Sequence, residues 1–172
     1  MKMDADKIAV GGGCHWCTEA VFQSLKGVLK VEQGWVSSTK EQKAFSEAVI
    51  VHFNSEVISL SKIIEIHLHT HKSTSDHSMR FKYRSGIYVF SEEQSAEVSL
   101  IMKSFQKEFE NKLITQVYPF KGFKPSSGQI INYYYKNPNK PFCETHINPK
   151  LKLLLDQFKN HVTTDKLKHL IS

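Results

Sequence analysis

Hydrophobic and polar residues follow one another along this chain in short blocks, and the spacing inside each block predicts strands and helices in alternation. Runs of strand length occur at residues 7–10, 28–36, 46–53, 83–90 and 113–118. Three glycines follow the first run, and they allow the chain to turn sharply into the block that comes next.

Four further blocks repeat apolar residues at intervals of three and four, which is the spacing of one helix face. The first helix begins near Cys17 and ends at Gly27, and the second contains Leu60, Ile64 and Leu68. Ser91 and Gln94 form a capping box for a third helix that reaches about residue 111. Asn148 and Pro149 open the fourth, whose apolar stripe is Leu151, Leu154, Leu155, Phe158 and Val162.

The element order β-α-β-β-α-β-β-α predicts the α+β class. A ferredoxin-like α/β plait with additional elements and a mostly antiparallel sheet fits this order. Residues 120–148 are rich in aromatic residues, Pro and Asn without a clear period, so we expect an irregular C-terminal covering segment before the terminal helix. No composition break divides residues 1–172, which predicts a single domain, and the tail from Thr163 is expected to fray.

Composition limits the classes of function. A chain of 172 residues with 40% hydrophobic residues can bury a real core. Its net charge of +6 is spread along solvated helix faces, so we expect no nucleic-acid binding. No apolar run reaches the length that crosses a bilayer. We therefore expect a cytoplasmic, monomeric protein without membrane contact.

The three cysteines, Cys14, Cys17 and Cys143, are too few for a secreted disulfide scaffold. Cys14 stands where the glycine turn enters the first helix, and the free N–H groups and dipole of a first helical turn favour a thiolate. Cys14 is therefore the candidate nucleophile. Cys17 lies on the same helix face, near enough to interact with it. A C-x-x-C pair of this kind indicates redox chemistry or metal binding, with a purely structural role as the alternative.

The predicted strand at 46–53 carries one carboxylate on an otherwise apolar face. In a two-residue period Glu47 shares a face with Val49, Val51 and Phe53. If that face is buried, the carboxyl group should hold its proton more tightly than in water, as a general acid near neutral pH requires. The alternative is a glutamate at a strand end that points to solvent.

Histidines in the second helix raise a metal hypothesis. His67 and His71 share one helix face, and His69 points elsewhere. Together with Cys14 and Cys17 they could complete a zinc site, but no second C-x-x-C or H-x-x-x-H pair of zinc-finger spacing follows. We therefore expect no metal, and solvated or packed histidines.

The segment Gly13-Cys14-His15-Trp16-Cys17-Thr18-Glu19-Ala20-Val21-Phe22 resembles the G-C-F-W-C-T-E-A-V-F motif of type A peptide methionine sulfoxide reductases, which act on the S epimer. Three further matches follow in the family's order: Ser46-Glu47-Ala48-Val49 with A-E-A-V, Tyr83-Arg84-Ser85 with Y-R-S, and residues 133–143 with Y-Y-x-x-N-P-x-x-P-Y-C. The resemblance covers about residues 7 to 162.

The resemblance implies a reductase mechanism in which the Cys14 thiolate attacks the sulfoxide sulfur. Glu47 would deliver a proton to the departing oxygen, which is otherwise a very poor leaving group. Trp16 and His15 would border the substrate methyl group, and Tyr83 would hydrogen-bond the sulfoxide oxygen.

The resemblance also implies how the enzyme is restored. Attack leaves a sulfenic acid on Cys14, which a second thiol condenses to a disulfide. Cys143 matches the family's recycling cysteine and is favoured slightly for the first disulfide, with Cys17 as the competing candidate. Thioredoxin or another dithiol would then reduce the disulfide, and no cofactor is implied.

Several positions depart from the family pattern near the implied site. His15 replaces a phenylalanine, and Lys82 replaces a glutamine. Ser78 stands at the family's aspartate, for which Asp76 could substitute only if the loop folds differently, and Trp35 is the aromatic residue nearest to a missing tyrosine. The alternatives are therefore a catalytically impaired family member that acts as a sulfoxide-binding module, and a C-x-x-C thiol-disulfide exchanger or zinc protein.

Overall fold

The computed structural model describes residues 6–171. Its strands are β1 (Asp6–Gly11), β2 (Val28–Ser37), β3 (Ser46–Phe53), β4 (Gly86–Val89), β5 (Gln116–Pro119) and β6 (Gly122–Pro125). Its α-helices are α1 (His15–Gln23), α2 (Leu60–Thr70), α3 (Glu92–Phe105), α4 (Tyr133–Lys136) and α5 (Asn148–Gln157). Single turns of 3-10 helix and one π-helical segment, Cys143–Ile147, connect them.

The strands form one sheet in the order β5-β4-β1-β3-β2-β6. Its four central strands, β4-β1-β3-β2, are antiparallel neighbours, and α1 and α2 connect them in the β-α-β-β-α-β arrangement of a ferredoxin-like plait. The predicted fold class is thus confirmed. At the edges, β5 adds in parallel to β4 and β6 adds antiparallel to β2.

The two faces of β3 lie in different apolar clusters, as its two-residue period requires. Val49, Val51 and Phe53 face the main core, which also contains the buried residues of α1, α2 and α5. Ala48 and Ile50 face a smaller cluster on the other side of the sheet. The face that carries Glu47 is therefore the face covered by helices.

The turn between β1 and α1 depends on glycine. Gly12 has φ +153°, a conformation that side chains rarely adopt, and a Cβ atom there would meet the His71 ring at 2.4 Å. The chain therefore passes close to α2 before α1 begins. As a result, Cys14 becomes the N-cap residue of α1, in agreement with the predicted thiol at the helix start.

Strand β5 begins at Gln116 rather than at Leu113, and α1 ends at Gln23 rather than at Gly27. Two further predicted boundaries were wrong because side chains take over backbone hydrogen bonds. Strand β4 begins at Gly86 rather than at Tyr83, since the Arg84 N–H donates to Ser46 Oγ at 2.8 Å outside the ladder. Helix α3 ends at Phe105, because the Gln106 side chain bonds the turn at Asn111 and Leu113 instead.

The C-terminal part is more regular than its composition predicts. Residues 120–148 include β6, α4 and the π-helical segment, and only the connections between them are irregular. The tail does not fray as expected, because Thr164–Leu170 forms 3-10 turns with Leu167 fully buried. His169 Nε2 also hydrogen-bonds the Tyr134 hydroxyl group. Within residues 6–171, no helix is long and apolar enough to span a membrane.

The packing of α5 against α1 and α2 provides a stability test. Leu154 is fully buried in the main core, so Leu154→Ala should lower the free energy of unfolding by about 2–5 kcal/mol in urea denaturation. Leu100→Ala is the matched control, since Leu100 on α3 is 68% exposed and should change stability by less than about 0.5 kcal/mol. Equal losses in the two variants would contradict this account of the core.

Candidate active site

Cys14 combines a helix N-terminus with a neighbouring thiol. Its carbonyl accepts the first hydrogen bonds of α1, from Cys17 N at 3.1 Å and Thr18 N at 3.2 Å, so the side chain lies beside the first turn. A hydrogen bond donated by the Cys17 thiol lowers the pKa of Cys14, and the Trp16 backbone N–H lowers it further. Burial and the Glu47 carboxylate oppose this shift. The net effect favours a Cys14 thiolate, which is the nucleophilic form.

Cys17 behaves in the opposite way. Because its thiol donates the hydrogen bond to Cys14, the pKa of Cys17 is strongly raised, and burial adds to the effect. Cys143 is close enough to interact electrostatically with Cys17, is fully buried, and donates its own S–H to the Asn137 carbonyl at 3.6 Å. Cys17 therefore interacts with both other free thiols, through a hydrogen bond to Cys14 and electrostatically with Cys143.

Glu47 enters the site from β3, where it pairs with Trp35 of β2. Its side chain is buried, with 6% of the residue exposed. Glu47 Oε1 accepts a hydrogen bond from the His15 backbone N–H at 3.1 Å, at the first turn of α1. Lys82 Nζ lies 3.6 Å from Oε2. The sequence expectation that Glu47 is directed inward, rather than to solvent, agrees with this placement.

His15 forms a buried wall beside the carboxylate. Its Nδ1 lies 2.8 Å from the Gly34 carbonyl oxygen, and its ring meets Trp35 edge-on at 5.0 Å between ring centroids. Its Nε2 is 3.5 Å from Glu47 Oε1. This contact, which a phenylalanine could not make, links His15 to the carboxylate.

Trp16 packs beneath the C-terminal covering segment. Its ring stacks on Tyr133 with centroids 4.0 Å apart and meets Phe142 edge-on at 5.3 Å. Glu19 holds this cover in place by accepting the N–H groups of Asn132 and Tyr133 at 2.8 and 3.1 Å. The sequence analysis named no role for Glu19, and its position one turn after Trp16 was the only available signal.

A cavity of about 370 Å³ opens beside the nucleophile. Its wall brings together three predicted residues, Cys14, Cys17 and Tyr83. Glu47, His15 and Trp16 do not line it, although Glu47 interacts electrostatically with Cys14.

Lys150 is a further member of this wall that the sequence analysis did not single out. Burial lowers its pKa, whereas Cys17 and Cys14 raise it by attraction, and its Nζ donates to the Thr70 carbonyl oxygen. A buried ammonium group here stabilises negative charge on sulfur. The only sequence signal was its place in the Pro149-Lys150-Leu151 helix start.

Arg80 connects the loop that carries Tyr83 to the glycine turn through hydrogen bonds. Its guanidinium group donates to the carbonyl oxygens of Gly12 at 2.7 Å and Tyr83 at 2.8 Å, and thus joins this loop to the glycine turn. Asp76 lies by a separate surface cavity with Arg80, and it does not line the cavity of Cys14. It therefore does not substitute at the nucleophile for the aspartate that Ser78 replaces.

His67 in α2 is fully buried, whereas His71, which follows α2, also lines the cavity of Cys14 and Cys17. His67 Nε2 bonds the Gly11 carbonyl oxygen, and burial lowers the pKa of His67 to about 3. His71 stacks on it, and its Nε2 meets Ser85 Oγ at 2.8 Å. Within the described part of the chain, the group of side chains spaced to hold a metal ion is Glu65, His69 and Glu108, which includes neither Cys14 nor Cys17.

Comparison with known proteins shows the family to which this chain belongs. A family model described as peptide methionine sulfoxide reductase matches residues 6–163. A peptide methionine sulfoxide reductase MsrA from Trichodesmium erythraeum is 33% identical over 174 residues, which span 92% of this chain and 98% of that protein.

Solved structures show the same fold. Mxr1 from Saccharomyces cerevisiae in reduced form has a TM-score of 0.73 at 23% identity, and the match covers 85% of this chain and 93% of that chain. Mxr1 in complex with Trx2 gives a TM-score of 0.61 at 22% identity, over 75% of this chain and 86% of that chain. On the family match and the sequence identity, this chain belongs to the peptide methionine sulfoxide reductases, the enzymes that reduce methionine sulfoxide to methionine.

Proposed function

We propose that Cys14 is the nucleophile with which this enzyme reduces the S epimer of methionine sulfoxide, free or within proteins. The observation that carries the proposal is the position of Cys14: a helix N-cap thiol that accepts a hydrogen bond from Cys17, faces a cavity of about 370 Å³ and lies near a buried carboxylate. Thiolate, acid and open space are the three requirements for transferring oxygen from one sulfur to another.

In the first step the Cys14 thiolate attacks the substrate sulfur, and Glu47 delivers a proton to the oxygen. As the hydroxyl group moves from the substrate sulfur to Cys14, the S–O bond of the substrate and the transient bond between the two sulfur atoms both break, which leaves methionine and a sulfenic acid on Cys14. The substrate sulfur gains the two electrons that Cys14 loses. Tyr83, on the cavity wall, would hydrogen-bond the oxygen. Trp16 and His15, which the family resemblance assigns to the substrate methyl group, lie outside the wall of this cavity.

Resolution then proceeds through both remaining cysteines. Cys17 already contacts Cys14, so its thiol condenses with the sulfenic acid, releases water and forms the Cys14–Cys17 disulfide. Cys143, beside Cys17, attacks the Cys17 sulfur, which moves the disulfide to Cys17–Cys143 and frees the Cys14 thiolate and one proton. The contacts thus favour Cys17 as first partner, and Cys143, slightly favoured on sequence, as the second.

A thioredoxin-type dithiol would reduce the final disulfide. The Trx2 complex of the related yeast protein supports this partner. The proposal also includes catalysis by cysteines without a bound cofactor, a monomeric enzyme and a cytoplasmic location.

The first test is turnover of the two sulfoxide epimers with dithiothreitol as reductant. The wild-type protein should produce methionine from the S epimer only, and Cys14→Ser should reduce the rate to background because an alcohol is not ionised at neutral pH. Unreduced R epimer serves as the internal control. Equal rates for the variant and the wild type would remove Cys14 from the mechanism, whereas sulfoxide binding without turnover would favour a binding module.

The role of Glu47 is tested with Glu47→Gln, which keeps the shape but cannot donate an acidic proton. Turnover should fall by about a hundredfold to ten-thousandfold. The pKa of Cys14, measured by alkylation rate against pH, should move slightly lower, because the Glu47 charge raises it. Glu32→Gln, at a half-buried glutamate of β2 that pairs with His52, should leave turnover unchanged. An unaffected rate in Glu47→Gln would exclude this residue as the acid.

The order of disulfides is tested by one oxidising turnover without reductant, followed by mass mapping. The Cys143→Ala variant should accumulate Cys14–Cys17, and the wild type should end as Cys17–Cys143. Both should still form about one methionine per enzyme in that turnover, because a single thiol partner is enough for it. A direct Cys14–Cys143 bond formed at the wild-type rate in Cys17→Ala would contradict the relay.

A further inference from the structure

The two ring nitrogens of His15 have different partners, and these partners define where hydrogen atoms lie. Nδ1 is 2.8 Å from the Gly34 carbonyl oxygen, which can only accept a hydrogen bond, so Nδ1 carries a hydrogen atom. Nε2 therefore holds a lone pair in the neutral ring and an N–H group in the charged ring. It faces Glu47 Oε1 at 3.5 Å, with both residues buried.

A proton on one of the two side chains favours this arrangement. A lone pair on Nε2 directed at an ionised carboxylate would place two electron-rich atoms together in a site with little water, which is unfavourable. The contact is attractive when one proton is present, either on Nε2 or on the carboxyl group. His15 and Glu47 thus form a pair that holds one exchangeable proton.

Lys82 decides which member holds that proton. Its ammonium group lies 3.6 Å from Glu47 Oε2 and attracts a negative charge on that carboxylate, which favours placing a shared proton on His15. Two other titratable groups face the pair from α1. Cys14 repels the Glu47 charge, and Glu19 attracts His15 while its own oxygens accept N–H groups from Gln33, Asn132 and Tyr133.

We propose that His15 is a positioning residue that stores the proton which Glu47 delivers to the sulfoxide oxygen. The inference rests on the proposed function and identifies the acid as the His15–Glu47 pair. The proton passes from His15 through Glu47 to the departing oxygen, which ends as the hydroxyl group of the Cys14 sulfenic acid. The proton released when Cys143 attacks the disulfide restores the pair.

The test compares the rate of methionine formation in a single turnover, as the ratio of variant to wild type from pH 5.5 to 8.5. The ratio for His15→Phe should fall by roughly tenfold between pH 5.5 and pH 8, because a carboxyl group alone loses its proton about two pH units below imidazole. His15→Gln, which is polar but does not titrate, should behave in the same way.

Lys82→Gln provides the second arm. Adding it to His15→Phe removes the charge that favours the carboxylate, so the double variant should regain at least about threefold at pH 8 relative to His15→Phe. His52→Phe is the matched control, since His52 forms a 2.6 Å pair with Glu32 elsewhere on the sheet and should keep the wild-type pH profile. Alkylation of Cys14 at the wild-type rate would show that each variant retains a folded site.

The outcomes separate the inference from the function on which it rests. A wild-type protein without Cys14-dependent turnover would overturn the proposed function itself. With an active wild type, a pH-independent loss in His15→Phe would show a merely structural role and overturn the inference. An unchanged profile in His15→Phe, or no recovery in the double variant, would overturn it as well.

Discussion

The site depends on one hydrogen bond, from the His15 backbone N–H at the start of α1 to the Glu47 carboxylate of β3. This bond joins the helix that carries the nucleophile to the strand that carries the acid, and it satisfies a donor that the helix itself leaves unpaired. It is possible only because the glycine turn at Gly12 brings α1 close over the sheet. The Glu47 side chain is therefore held against the start of α1, one residue from Cys14, by a backbone N–H group.

The C-terminal segment adds residues to the site that the ferredoxin-like plait carries. Glu19 on α1 accepts backbone N–H groups from the start of α4, and this places Tyr133 flat on Trp16. The following π-helical segment buries Cys143, and α5 brings Lys150 to the thiols. The segment that supplies the last thiol of the proposed relay is thus anchored through the helix that supplies the first two.

The departures from the family pattern are concentrated on the acid rather than on the thiols. His15 and Lys82 each place a nitrogen atom within 3.6 Å of a Glu47 oxygen, one on each oxygen of the carboxylate. Neither alters the hydrogen bond between Cys14 and Cys17. His15 and Lys82, which are separate departures in the sequence, therefore both act on the Glu47 carboxylate. The charge of Lys82 can offset the effect of His15 on that carboxylate.

The sequence alone determined the fold class, the strand β3, the inward face of Glu47 and the thiol at a helix start, because each follows from a local period or from the residues on either side of a turn. It misjudged the start of β4, the end of α3 and the order of the C-terminal segment, where side chains such as Gln106 take over backbone hydrogen bonds. Only the tertiary structure decided the partners of Glu19, Arg80 and Lys150. Those contacts join polar atoms that are distant along the chain, and no local pattern records which distant group satisfies a buried charge.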